Sequence, residues 1–241
     1  MAELRVDKLV KIYRGKKVVN AVSLSVQSGE VIGLLGPNGA GKTTTFYMTV
    51  GMVRPDGGKV FLNTDEITLM PMYQRARNGV GYLPQEASVF RKLTVWQNIM
   101  AILETLPLTK EERHQRATSL LTELGIEKLA EQRASVLSGG ERRRLEISRC
   151  LVTDPAFILL DEPFAGIDPL AVIDIKNIIS HLKKRGIGIL ISDHNVRETL
   201  EVCDKAYILS DGTVIEFGSP QKIAASELAR RIYLGDEFKL K

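Results

Sequence analysis

The segment GPNGAGKT at residues 36–43 constrains the fold more than any other part of the 241-residue sequence. It follows VIGLL (31–35), a short, continuously apolar run typical of a buried parallel strand. It also matches the pattern GxxxxGK[ST]. Its glycines permit a tight turn whose N–H groups point at phosphate oxygens, and a helix start adds partial positive charge. The segment therefore predicts an α/β core with a phosphate-binding loop between a strand and a helix.

The same loop indicates which residues hold a nucleotide. Lys42 can reach the β- and γ-phosphates, the Thr43 hydroxyl can ligate Mg²⁺, and Thr44 is a further phosphate contact. A glycine-rich turn that merely connects a strand and a helix is the alternative, and the full motif in its proper context argues against it. The predicted nucleotide-binding residues are Gly36, Pro37, Asn38, Gly39, Ala40, Gly41, Lys42, Thr43 and Thr44.

Polar side chains follow three further strand-like runs. FILLDEP (157–163) places Asp161 and Glu162 at the end of an apolar run, and parallel sheets bind ligands at the C-terminal ends of their strands. We expect Asp161 to hold Mg²⁺, directly or through water, and Glu162 to act as general base on the attacking water. Gln85 is expected to contact a Mg²⁺-bound water and the nucleophile, and His194 the γ-phosphate. Each of these residues alone has an ordinary explanation as a solvated residue after a strand.

Helical periodicity dominates the middle of the chain. QNIMAILETL, KEERHQRATSLLTEL and ERRRLEISRCLV carry apolar residues at three- and four-residue spacings. Thr109 followed by Glu112 predicts a capping box. We predict one domain over residues 1–241, with a helical insert at about 88–155 and a C-terminal helical tail at about 220–241.

Strand patterns occupy the two ends of the chain. VSLSVQ (22–27) alternates apolar and polar residues, which predicts a half-buried strand. KVFL (59–62) predicts another strand, with the glycines at 57–58 forming a turn before it. Asp211–Gly212 separates two apolar runs and predicts a hairpin.

Composition sets limits on the partners. A net charge of +4 with interspersed acidic residues permits an anionic partner without requiring one. The arginines at 142–144 are predicted to lie on a solvated helix face, and no nucleic-acid partner is expected. The N-terminus lacks the apolar core of a signal peptide, and no apolar run approaches the ~20 residues that span a bilayer. We therefore expect no direct membrane span, and a membrane role would need other subunits.

The motifs together resemble the ATP-binding-cassette (ABC) ATPases. GPNGAGKTT, YLPQE, LSGGE (137–141), FILLDEP, GID and SDH occur in the order typical of that family, over nearly the whole chain. The resemblance implies an ABC-type P-loop ATPase core with an antiparallel β subdomain and a helical subdomain insert. It also implies ATP and Mg²⁺ as cofactors. LSGGE is the most specific of these elements.

In this family two cassettes pack head to tail, so the resemblance implies a homodimer or a closely related partner. Ser138, Gly139 and Gly140 of one chain would then bind the γ-phosphate held by the other chain. Asp168 would lie at that interface, while capping of the helix that begins at Pro169 is a compatible alternative. Tyr13 resembles the aromatic residue that stacks on adenine, and a half-buried strand residue is its alternative.

Longer segments resemble the ATPases of lipopolysaccharide export in Gram-negative bacteria. They are YLPQEASVFRKLTV, EPFAGIDPLAVIDI, DHNVRETL and YLGDEF (233–238). The resemblance implies a cytoplasmic homodimer, peripheral on the cytoplasmic face of the inner membrane and attached to two permease subunits. The ATPase of a branched-chain amino-acid importer is an alternative. A soluble cassette protein that acts on ribosomes or DNA is another.

The segment at 86–100 is where we expect a membrane subunit to bind. Phe90 would supply an apolar anchor for a short helix of that subunit, and Arg91 a charge-assisted contact. The alternative is that Phe90 packs the helical insert against the core.

Overall fold

The computed structural model describes residues 2–235, 237–238 and 240. Met1, Asp236, Lys239 and Lys241 lie outside the described residues, and with them parts of the YLGDEF stretch and of the predicted tail. The strands are β1 (Glu3–Tyr13), β2 (Lys16–Gln27), β3 (Val31–Leu35), β4 (Gly57–Leu62), β5 (Asp65–Glu66), β6 (Val80–Leu83), β7 (Phe157–Asp161), β8 (Gly188–Ser192), β9 (Lys205–Ser210) and β10 (Thr213–Gly218).

Helices connect these strands. They are α1 (Lys42–Val50), α2 (Met72–Arg77), α3 (Val95–Leu103), α4 (Lys110–Glu123), α5 (Gly139–Leu151), α6 (Pro169–Lys184), α7 (Val196–Val202), α8 (Pro220–Ala225) and α9 (Glu227–Ala229). A π-helical turn, Arg230–Leu234, follows α9. The structure contains no helix, among the residues it describes, with the length and apolar character needed to cross a bilayer.

The larger sheet has six strands in the order β10-β9-β3-β8-β7-β6. The strands from β9 to β6 pair in parallel, and β10 pairs antiparallel with β9. β3, β7 and β8 are buried along their whole lengths, as their continuous apolar runs predicted. In this register Asp161 and Leu34 both lie beside Ser192. The ends of these three strands, and the loops that follow them, therefore meet at one edge of the sheet.

The smaller sheet has four antiparallel strands in the order β2-β1-β4-β5. Val22, Leu24 and Val26 are buried on one face of β2, which confirms the alternation read from VSLSVQ. Their cluster includes Phe46 of α1 and joins this sheet to the larger one. The predicted turn at the glycines 57–58 is wrong, because both residues lie within β4. Gly57 pairs with Val10 of β1, and Gly58 lies at an irregularity in that pairing, with a φ of 79°.

Helices α3, α4 and α5 stand between β6 and β7 in the chain. Thr109 and Glu112 form the predicted capping box, and Thr94 with Gln97 forms a second one at the start of α3. The apolar faces of the three helices share one buried cluster with β7 and β8. The limits predicted for the insert, about 88–155, remain a prediction.

The C-terminal part of the chain forms a hairpin and then short helices. Asp211 and Gly212 have φ values of 47° and 75°, the left-handed conformation of a tight two-residue hairpin turn. Ile223 and Phe238 pack with Leu35, the last residue of β3. The C-terminal segment therefore packs against the end of β3, where the predicted phosphate loop begins.

Candidate active site

The predicted phosphate loop joins β3 to α1, and its glycines are required by close backbone contacts. A Cβ atom on Gly36 would lie 2.1 Å from the carbonyl oxygen of Leu209, and one on Gly41 would lie 2.5 Å from that of Val18. Gly41 has a φ of 96° and precedes the first residue of α1. The loop is thus a compact turn that ends where α1 begins. Free backbone N–H groups at the start of a helix form a site that binds phosphate.

Lys42 folds over this loop. Its Nζ donates hydrogen bonds to the carbonyl oxygens of Gly36 at 2.7 Å and Pro37 at 3.0 Å. Burial lowers the pKa of Lys42, and the negative charge of Glu162 partly opposes that shift. The loop residues 38–44 line a pocket of about 260 Å³ together with Val18, Glu162 and His194. The fold therefore brings the predicted phosphate loop and two predicted catalytic residues to one cavity.

Asp161 ends β7 and is only 5% exposed. Its Oδ2 accepts a hydrogen bond from the hydroxyl of Tyr82 at 3.2 Å. Burial raises the pKa of Asp161, and the nearby carboxylates of Glu162 and Asp193 raise it further. The ionised form of this carboxyl group is therefore disfavoured unless positive charge lies beside it.

Glu162 has a left-handed backbone, with φ at 45°. This conformation costs a non-glycine residue about 1–3 kcal/mol and persists where the surroundings hold it in place. The backbone N–H of Glu162 donates to the carbonyl oxygen of Ser192 at 2.6 Å. Its Oε2 accepts a hydrogen bond from Gln85 Nε2 at 2.8 Å and lies 3.4 Å from His194 Nδ1. The three residues predicted to be catalytic thus meet at one carboxylate.

Two residues near the Asp161 and Glu162 carboxylates were missed by the sequence analysis. Asp193 is fully buried, and its carboxylate accepts from the backbone N–H groups of Phe164 at 2.8 Å and Asn195 at 2.7 Å. It therefore ties the loop after β7 to the loop that carries His194. Tyr82, the donor to Asp161, was also missed. Tyr82 lies within the YLPQE motif and Asp193 within SDH, but no spacing rule separates either residue from an ordinary residue at a strand end.

The LSGGE turn has a different environment. Ser138 caps α5 through a capping box, in which its hydroxyl donates to Glu141 Oε2 at 2.7 Å and accepts from the Glu141 N–H at 3.3 Å. The hydrogen bonds from Ser138 lower the pKa of Glu141. Gly139 and Gly140 face open space. None of the three residues lines the phosphate-loop pocket of their own chain.

The predicted role of Asp168 involves a second chain, and that of Tyr13 involves a bound nucleotide. The Oδ1 atom of Asp168 accepts from the N–H groups of Leu170 and Ala171, both at 3.0 Å, so Asp168 is the N-cap of α6. Its role at a dimer interface remains a prediction. Tyr13 ends β1 opposite Lys16 and is 46% exposed. Stacking of Tyr13 on adenine also remains a prediction.

Phe90 is 48% exposed, and Arg91 is exposed as well. The Arg149 guanidinium lies 4.5 Å from the centre of the Phe90 ring. This exposure argues against the alternative in which Phe90 packs the insert against the core. Binding of a partner by Phe90 and Arg91 remains a prediction.

The three arginines after the LSGGE turn are half-buried, so the predicted solvated face is wrong. Arg142 donates to the carbonyl oxygen of Leu137 at 3.1 Å, and Arg144 donates to Asp174 at 2.7 Å. Arg143 donates to the carbonyl oxygen of Pro84 at 3.2 Å. Periodicity alone could not reveal the contacts of Arg143 and Arg144, because these join α5 to distant parts of the chain.

Comparisons with known proteins identify the family to which the chain belongs. The profile of the ABC transporter family matches residues 19–165. The chain is 56% identical over 241 residues, the whole of both chains, to the lipopolysaccharide export system ATP-binding protein LptB of Escherichia coli K12. It is 57% identical over 237 residues to the protein of that name from Acidithiobacillus ferridurans, with 98% of each chain covered.

Solved structures share the fold. One is an ATP-binding cassette of an ABC transporter in its ADP conformation, with a TM-score of 0.88 and 29% identity over 98% of this chain and 100% of that one. Another is cbiO1 from Clostridium perfringens, part of an ABC transporter complex, with a TM-score of 0.85 and 29% identity over 97% and 95% of the two chains. The predicted fold class and family are thereby confirmed. The chain belongs to the ABC transporter family and is an ATPase cassette of that family.

Proposed function

We propose that this chain is the ATPase subunit of a lipopolysaccharide-export transporter. Relatives from Escherichia coli, Acidithiobacillus ferridurans and Haemophilus influenzae that carry that name are 54–57% identical over 98–100% of the chain. This similarity extends beyond the family motifs to the segments that flank them. The observation that carries the ATPase chemistry is the Glu162 carboxylate, which lies between Gln85 and His194 beside the phosphate loop.

The chain's own residues divide the work of ATP hydrolysis. Lys42 and the loop amides bind the triphosphate and offset its charge. Glu162 accepts the proton of the attacking water, and Gln85 and His194 orient that carboxylate and the water. Asp193 is a positioning residue, because its carboxylate joins the loop after β7 to the loop that carries His194.

Magnesium fits the oxygen donors of the three predicted metal ligands. The Thr43 hydroxyl, the Gln85 amide oxygen and the Asp161 carboxylate are ligands of the kind that Mg²⁺ prefers. The raised pKa of Asp161 also indicates that a neighbouring cation would stabilise its ionised form. The described residues contain no group of three or more His, Cys, Asp or Glu side chains able to hold a metal, so phosphate oxygens and water would complete the coordination. Bound Mg²⁺ would neutralise charge on the phosphates.

The position of the LSGGE turn outside the phosphate-loop pocket supports a homodimer. Ser138, Gly139 and Gly140 lie outside the phosphate-loop pocket of their own chain, and Gly139 and Gly140 face open space. A second copy packed head to tail would present them to the nucleotide held by Lys42. Binding of ATP then drives closure of the two copies, and hydrolysis allows them to reopen.

Two permease subunits at the cytoplasmic face of the inner membrane would change conformation as the two copies close and reopen. The exposed Phe90 ring and the neighbouring Arg91 supply an apolar anchor and a charge for a short helix of such a subunit. Both residues follow Gln85 closely in the chain, so a subunit bound there would respond to events at Glu162.

The first experiment is affinity purification of the chain from detergent-solubilised native membranes, with mass spectrometry of the proteins that accompany it. We expect two lipopolysaccharide-export permease subunits. Recovery of amino-acid permeases would contradict lipopolysaccharide as the cargo but would not contradict the proposed ATPase chemistry. Recovery of ribosomes or DNA without any membrane protein would contradict a role in transport.

A further inference from the structure

A buried ion pair on α5 has no role in the chemistry described above. Glu146 and Arg143 are one helical turn apart, and their side chains are 4% and 13% exposed. Arg143 Nη1 donates to Glu146 Oε2 at 3.0 Å. Removal of two charges from water is costly, and a buried ion pair is often no more stabilising than well-packed apolar residues. A contribution to stability therefore does little to explain why charged residues occupy these two positions.

The remaining bonds of the pair all end on one short segment, Pro84–Ser88. Glu146 Oε1 accepts from the backbone N–H of Ser88 at 2.9 Å. Arg143 Nη1 donates to the carbonyl oxygen of Pro84 at 3.2 Å. Arg149, one turn further along α5, donates to the carbonyl oxygen of Ser88. Both ends of the segment are thus attached to one rigid helix.

Gln85 lies inside this attached segment. It is exposed, and its side chain donates a hydrogen bond to Glu162. Gln85, Glu162, Arg143 and Glu146 all line one cleft of about 180 Å³. The ion pair therefore holds the backbone on both sides of an exposed side chain whose position matters for the reaction.

We infer that Glu146 and Arg143 are positioning residues for ATP hydrolysis, which hold Gln85 against Glu162 by fixing the Pro84–Ser88 backbone to α5. Because α5 begins at Ser138, the pair also links Gln85 mechanically to the LSGGE turn. This inference rests on the proposed ATPase function. It assigns no contact with substrate to either residue.

The test is steady-state ATP hydrolysis by Glu146→Gln, with kcat and KM measured separately. The amide preserves the size of the side chain but weakens its hold on Arg143. We expect kcat to fall about tenfold, with KM for ATP changed less than about twofold, because the phosphate loop is untouched. An unchanged kcat in a folded variant would overturn the inference.

Glu123→Gln is the matched control. Glu123 also bonds an arginine, Arg185, and joins the end of α4 to α6, but it does not touch the Pro84–Ser88 segment. We expect this variant to keep the wild-type kcat. An equal loss of kcat in both variants would mean that any weakened attachment of the helical insert has this effect, which contradicts a specific role for Glu146. An inactive wild-type chain would instead contradict the proposed function.

A double substitution, Arg143→Met with Glu146→Leu, separates positioning from stability. Apolar residues can replace a buried ion pair without loss of stability, but they cannot bond the Pro84 and Ser88 backbone. Retained melting temperature with a kcat still lowered about tenfold supports positioning. Wild-type kcat in this variant would overturn the inference. This variant decides the question if Glu146→Gln does not fold, and failure of both to fold would assign the pair a structural role instead.

Discussion

Gln85 donates a hydrogen bond to Glu162 over 2.8 Å, although 77 residues separate them in the chain. Gln85 follows β6 and Glu162 follows β7, and these strands are neighbours in the larger sheet. The loops after adjacent parallel strands lie at the same edge, so the amide and the carboxylate meet there. The site therefore depends on the order of the strands in the larger sheet as well as on the sequence motifs.

Glu162→Gln tests the general base. The amide cannot accept a proton, so we expect kcat to fall at least about a hundredfold while ATP binding is retained. Equilibrium dialysis with labelled nucleotide and a steady-state hydrolysis assay measure the two properties. We also expect ATP to trap this variant as a dimer in size-exclusion chromatography.

The control for this variant is Glu66→Gln, since Glu66 pairs with Lys59 on the smaller sheet, away from the site. Its turnover should equal that of the wild type. Rapid steady-state turnover by Glu162→Gln would contradict the assignment of the base.

Ser138→Arg tests whether the LSGGE turn acts on the second copy's nucleotide. The bulky side chain should block dimer closure and hydrolysis but leave nucleotide binding by the isolated chain nearly unchanged. Loss of the N-cap should also destabilise α5 by about 1 kcal/mol. Ser138→Ala removes the cap without the bulk and is the matched control. Normal hydrolysis by Ser138→Arg would count against the head-to-tail dimer.

Asp161→Asn should stabilise the nucleotide-free chain at neutral pH while it lowers ATP hydrolysis. Burial raises the pKa of Asp161, so between its unfolded and folded pKa values the native state binds more protons than the unfolded state. Stability supplied by the protonated form is lost as pH rises through this window. The asparagine side chain carries no charge at any pH and escapes this loss.

Thermal unfolding without nucleotide, near pH 3.8 (the ordinary pKa of an aspartate) and at pH 7, measures this effect. The gain in melting temperature from Asp161→Asn should be larger at the higher pH. A lower melting temperature than the wild type at pH 7 would show that Asp161 stabilises the fold as an anion, contrary to this account.

Phe90→Ala should leave the ATPase activity of the isolated chain near the wild-type value and weaken capture of the membrane subunits. The half-exposed ring contributes little packing to the fold. Phe217→Ala removes a comparably exposed ring on β10 and is the matched control. Purification from native membranes compares the bound subunits. Loss of folding by Phe90→Ala would favour the alternative in which Phe90 packs the insert against the core.

Much of the fold was predictable because its signals are local. The loop at 36–43, the buried runs of β3, β7 and β8, and the Thr109 capping box each depend on spacing within a few residues. These patterns reflect strand and helix periodicity and the geometry of helix ends, which hold wherever the segment lies. The resemblance to a family then supplied the roles of the motif residues.

The remaining features depend on contacts between segments far apart in sequence. The glycines at 57–58 look like a turn, yet pairing with β1 draws them into β4. The arginine run looks like a solvated face, yet Arg143 reaches Pro84, 59 residues away. Glu146 likewise looks like an ordinary helical glutamate until Ser88 is placed beside it. No periodicity encodes these partners, because strand order and helix packing bring them together only in the folded chain.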